Sequence, residues 1–77
     1  MDYKQILTDI ARAIVDSPDS VAVTETVEDD GIKLVLTVAP EDTGMVIGRH
    51  GKIAKAIRSV MKVAASKEGK RITVEIE

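Results

Sequence analysis

Cysteine, phenylalanine and tryptophan are absent from this chain, Tyr3 is its only aromatic residue and His50 its only histidine. Without cysteine there is no disulfide framework and no thiolate metal site, which fits a reducing cytoplasm. One histidine cannot build a multi-histidine zinc site, and it cannot join the scattered acids in a Ser-His-Asp set or a carboxylate pair with a base, so no enzyme is expected. No positively charged start leads into an apolar run, and no stretch approaches the roughly 20 apolar residues of a spanning helix. A soluble, unexported, cytoplasmic protein without membrane contact is expected, needing neither cofactor nor metal.

What remains is a short chain, 77 residues long, whose core must come from Ile, Val, Leu, Met and Ala. A domain of about this size buries only roughly 60% of its unfolded surface, so its stability margin is thin. The formal net charge of -2 conceals a segregation. From Met1 to Thr43 there are three cations against ten acids, and from Gly44 to Arg71 eight cations against Glu68 alone. The second stretch is therefore basic enough to meet a polyanion.

Asp2, three residues before Gln5, suits a helix start, and Ile6, Leu7, Ile10, Ala11, Ile14 and Val15 recur at three- and four-residue spacing until Ser17-Pro18 stops the helix. From Val21 the period becomes two, with Val21, Val23, Glu25 and Val27 on one face. The Asp30-Gly31 pair predicts a tight hairpin with positive φ, and Ile32, Leu34, Leu36 and Val38 line a second strand. Pro40-Glu41-Asp42 fits the first turn of a short helix ending before Gly48. A longer helix runs from Gly51 or Lys52 to about Ser66, and Ile72, Val74 and Ile76 alternate in a last strand. The order α-β-β-α-α-β predicts a two-layer α+β domain whose three-stranded sheet is covered on one face by helices.

On the long helix every charge is positive, and the apolar arc spans on the order of 200°, twice the ~100° that packs one helix on a core. The excess predicts a second buried surface, a dimer interface involving Met61, Val63 and Ala65. The two helices meet at Val46-Ile47-Gly48-Arg49-His50-Gly51-Lys52-Ile53. Closely spaced glycines can serve as a plain helix-turn-helix connection. Here, however, the turn is cationic and sits at a helix N-terminus, where free N–H groups favour an anion. The P-loop pattern fails, since it needs glycine at Val46 and Ser or Thr at Ile53. The dinucleotide fingerprint fails too, wanting glycine at Val46 and a preceding strand.

Together with Ala54-Lys55-Ala56-Ile57, this stretch resembles the signature of KH domains, whose GXXG loop clamps the backbone of a short single strand. The element order is similar to the type II, prokaryotic arrangement, and the likeness spans residues 1–77 as a single KH domain. The resemblance implies a non-catalytic, bacterial RNA-binding protein, an RNA chaperone or post-transcriptional regulator. It also implies a homodimer or a heterodimer with a larger KH protein. Carried onto this chain, Gly48 and Gly51 let the loop reach phosphates, Arg49 and His50 project from it, and Lys52 lies just beyond. Lys55, with Arg58 and Lys62, supplies long-range attraction or is only a solvated face. Ile47, Ile53 and Ile57 either complete the core or border an apolar base groove. No aromatic lies near the loop to stack on bases, and the acidic hairpin Glu28-Asp29-Asp30 would repel phosphate wherever it faced the groove. Weak, salt-sensitive binding with little sequence preference is the expectation.

Overall fold

The computed structural model describes residues 1–77. Helix α1 (Tyr3–Ile14) begins where Asp2 Oδ1 accepts from the Gln5 N–H at 3.0 Å. It buries Tyr3, Leu7 and Ala11 on one face. It stops where Val15 turns extended, ahead of a short 3-10 turn at Pro18–Ser20.

Strands β1 (Ala22–Glu28) and β2 (Gly31–Thr37) pair antiparallel, with Val23 opposite Leu36 and Glu28 opposite Gly31. The loop is therefore Asp29-Asp30, and neither these residues nor Gly31 adopts positive φ. Gly31 is needed for a different reason from the one the Asp30-Gly31 pair suggested. A Cβ there would stand 2.7 Å from the Arg71 carbonyl oxygen, because Ile32 N–H donates to that oxygen across to the next strand at 2.9 Å. That strand, β3 (Ile72–Ile76), runs parallel to β2 with Leu34 opposite Val74, which puts β2 at the centre of the order β1-β2-β3.

A parallel pair requires a crossover, and the helices between β2 and β3 supply it. Pro40–Asp42 forms a 3-10 turn leading into α2 (Thr43–Ile47), and α3 (Lys52–Ser66) follows. Helices α1, α2 and α3 cover the face of the sheet that carries Val23, Leu34, Leu36, Ile72 and Val74. This is the expected α-β-β-α-α-β, two-layer α+β architecture, with helices on one face of a three-stranded sheet.

The alternation in β1 continues in phase to Val27, yet Val27 is 77% exposed. Its cross-strand partner Ile32 packs against the core, while Val27 borders an open cleft beside Glu28, Asp29 and Asp30. On α3 the buried residues are Ala54, Ile57, Met61 and Ala65, at three- and four-residue spacing. This corrects the expected dimer surface. Met61 and Ala65 are 0% exposed core residues, and of that trio only Val63 lies outside, at 62%. The surplus of the apolar arc falls on its other side, on Ile53, Ala56, Val60 and Val63.

One polar residue is buried with the core. Asp42 sends Oδ2 to accept from the Ser17 backbone N–H at 2.9 Å, tying the start of the crossover to the end of α1. An acid read as favouring a helix dipole is thus also a cross-strut.

Candidate nucleic-acid interface

Helix α2 closes at Gly48, whose N–H donates to the Gly44 carbonyl at 2.9 Å, and Gly51 N–H donates back to the Gly48 carbonyl at 3.1 Å. Three residues of the turn have positive φ: Gly48 (φ 76°, ψ 173°), His50 (φ 58°, ψ 25°) and Gly51 (φ 74°, ψ 14°). The dihedrals of Gly48 fall in a region essentially reserved for glycine. Its neighbours impose a second requirement, since a Cβ on it would overlap the Ile53 side chain. Above Gly51 a Cβ would meet nothing within 4 Å. That position is open to solvent, so a ligand can approach the backbone there.

Helix α3 starts immediately after this turn, without a side-chain cap and without an acid in its first turn. The Lys52 N–H donates to the Arg49 carbonyl, but no side chain caps the N–H groups that follow, and the dipole there favours a negative acceptor. Arg49, His50 and Lys52 are exposed around them. The three ion pairs in the protein are Met1 ammonium with Glu68, Arg12 with Asp19, and Lys33 with Glu75. Arg49, Lys52, Lys55, Arg58 and Lys62 therefore have no carboxylate partner, and the positive field of this corner is not neutralised within the protein.

The flanks of α3 differ in character. On one side Ile53, Ala56, Ile57 and Val60 face Ile10 and Ile14 of α1 across a wholly apolar groove of about 440 Å³. On the other, Arg58 Nε donates to the Val74 carbonyl at 3.2 Å, placing a guanidinium against the edge of β3. The structure thus brings Gly48, Arg49, His50, Gly51 and Lys52 together, with Lys55 one turn further along. Ile53 packs over Gly48 and lines the groove towards α1. Ile57 belongs to the core, and Ile47 stands 38% exposed just before the turn.

The acidic hairpin lies elsewhere. Glu28, Asp29 and Asp30 share a cleft of about 490 Å³ with Gly69, Lys70 and Arg71, beside the C-terminal end of α3. Fifteen residues of helix, about 22 Å, separate that end from the glycine turn. This is well beyond the ~8 Å screening length at physiological salt.

Two contacts had no signal in the sequence. The Arg58–Val74 bond depends on which flank of α3 faces the sheet edge. The Tyr3 hydroxyl donates to Glu68 from 65 positions away. That bond, with burial and the adjacent carboxylate charge, pushes the Tyr3 hydroxyl up to about 12. It also holds Glu68 below its usual range, helped against desolvation by the Met1 ammonium and Lys70 charges.

Comparison with known proteins agrees with this architecture. Residues 4–76 match the family model described as KhpA/KhpB, KH domain. The RNA-binding protein KhpA of Clostridium acetobutylicum is 58% identical over 73 residues, covering 95% of this chain and 97% of that one. Its counterpart in Clostridium perfringens is 51% identical with the same coverage. Among solved structures, Era in complex with MgGDPNP and nucleotides 1506–1542 of 16S ribosomal RNA superimposes with a TM-score of 0.71 at 20% identity. Aquifex aeolicus Era bound to GDP·AlF4⁻ gives 0.69, also at 20%. These matches cover 96% of this chain but only 28% and 29% of the Era chains, and at that identity they speak to the fold alone. With the family model and the KhpA relatives spanning nearly its whole length, the chain belongs to the KhpA/KhpB KH-domain family, which is not catalytic.

Proposed function

We propose that this chain is a single KH domain that binds single-stranded RNA at Gly48-Arg49-His50-Gly51, without catalysis, and acts in the cytoplasm as an RNA chaperone or post-transcriptional regulator. The observation that carries this is the N-terminus of α3, which no side chain caps, behind an open left-handed turn and among five cations with no carboxylate partner. A phosphodiester supplies the anion that these groups lack, and Gly51 lets it reach the amides. The relatives' name, RNA-binding protein, supports the same polyanion. Affinity per domain is low, because the only aromatic, Tyr3, is 2% exposed in the core, so stacking worth about 1–3 kcal/mol per base is missing. No helix is long and apolar enough to cross a membrane.

The test is a titration of one labelled RNA, as a single strand and as a duplex, across a range of salt concentrations. Preferential binding of the single strand is expected, with a log–log slope of about −2 to −3 for three to four phosphates neutralised. Equal binding of the duplex, or no salt dependence, contradicts the assignment.

A second reading rests on the apolar groove. Ile10, Ile14, Ile53, Ala56 and Val60 form a surface on the flank of α3 opposite Arg58, suited to a second copy of this chain or to the KH domain of a larger, KhpB-type protein. Because the groove and Arg58 lie on opposite flanks of α3, a dimer through this groove leaves the Arg58 flank of each copy free. Two weak sites then gain by effective concentration.

A further inference from the structure

Of the cations along α3, Arg58 alone is fixed to another element. The backbone pairing shows where it is fixed. Ile32 N–H donates to the Arg71 carbonyl and Glu77 N–H to the Leu36 carbonyl, both at 2.9 Å. Alternate residues of β3 therefore turn their peptide groups towards β2, leaving those of Ile72, Val74 and Ile76 on the open edge. The Val74 carbonyl on that edge accepts from Arg58 Nε. A flexible side chain is thereby held as a fork, with Nε engaged, both Nη groups available and no carboxylate within 4 Å.

Arg58 lies seven residues beyond Gly51, about 10 Å along the helix axis. A strand whose phosphate rests on the glycine turn and which runs on between α3 and β3 brings one of its next bases against this guanidinium. Lys55 and Lys62 present only mobile point charges to the same strand, whereas Arg58 presents paired donors in one plane, and among base edges only one with two adjacent acceptors satisfies such a fork bidentately. On a purine, guanine offers O6 and N7 side by side, while adenine puts an amino donor in place of O6.

We propose that Arg58 is a specificity-determining residue that selects guanine over adenine at one position of the bound strand. This rests on the RNA-binding assignment above and adds a preference to a site otherwise governed by backbone charge.

The test uses uridine nonamers with one central guanosine, adenosine or 7-deazaguanosine, titrated against the full chain by fluorescence anisotropy at low salt. The guanosine nonamer is expected to bind about ten-fold more tightly than the adenosine one. Removing N7 should cancel most of that gain. In Arg58→Lys, which keeps the charge but not the fork, the guanosine-to-adenosine ratio should fall towards one while the thermal transition stays near that of the parent. A residue that only protects the edge of β3 would change the transition and leave the ratio untouched. Equal affinities for guanosine and adenosine, or a ratio that survives in Arg58→Lys, overturn the proposal while leaving the RNA site intact. Failure of every nonamer to bind overturns the RNA site and the proposal together.

Discussion

A Cβ on Gly48 would collide with the Ile53 side chain and stand 2.9 Å from the Ile53 backbone nitrogen, so the first glycine of the turn is held by packing as well as by conformation. Gly51 is held by conformation alone. Gly48→Ala should therefore combine strain of about 1–3 kcal/mol with a steric cost of similar size. Gly51→Ala should cost about 1–2 kcal/mol. Urea denaturation of the two variants separates them, and equal losses would mean that Ile53 yields freely.

Tyr3 and Glu68 join the start of α1 to the turn after α3, and their bond makes stability depend on pH at both extremes. Glu68 is held below its usual range chiefly by the Tyr3 hydroxyl. The contribution it makes is therefore complete above the ordinary carboxylate range and disappears as pH falls through the lowered value. Tyr3 is raised from 10.0 to about 12, so its contribution is complete below pH 10 and disappears as pH rises towards 12. The melting temperature should form a plateau bounded by both declines. Tyr3→Phe should lower the plateau and flatten both edges. An unchanged pH profile in that variant would contradict the linkage.

Val60 and Met61 are adjacent in sequence but serve different surfaces, at 52% and 0% exposure. Met61→Ala should destabilise the fold by about 2–5 kcal/mol. Val60→Asp should leave monomer stability within about 0.5 kcal/mol and abolish self-association measured by light scattering. A dimer that persists in Val60→Asp would place the interface away from the α1–α3 groove.

Much of this was legible in the sequence, for local reasons. Gly51 and the shared face of Ile53, Ile57, Val60 and Ala64 mark α3, which runs from Lys52 to Ser66, and alternation marks all three strands. What local pattern cannot supply is the orientation of an element against its neighbours. The apolar arc on α3 is broad, but periodicity does not say which of its edges is surplus, Val63 on one or Met61 and Ala65 on the other. Met61 and Ala65 face the sheet, and the surplus lies towards α1. Val27 keeps its alternation but is exposed, because what covers a strand position is decided by tertiary packing. The role of Gly31 is likewise set by Arg71, forty residues away in sequence. Within the candidate site, the glycine spacing and its cations were visible. The left-handed φ of His50 and the tether of Arg58 to Val74 depended on the packed structure.

The central claim is that the turn itself holds the RNA backbone. Reversing its charge with Arg49→Asp/His50→Asp, at two exposed positions that make no internal ion pair, tests it most directly. At low salt, with circular dichroism confirming an unchanged fold, this variant should lose measurable affinity for a labelled single-stranded RNA that the parent chain binds. Affinity equal to the parent's would show that the RNA is held elsewhere on the domain.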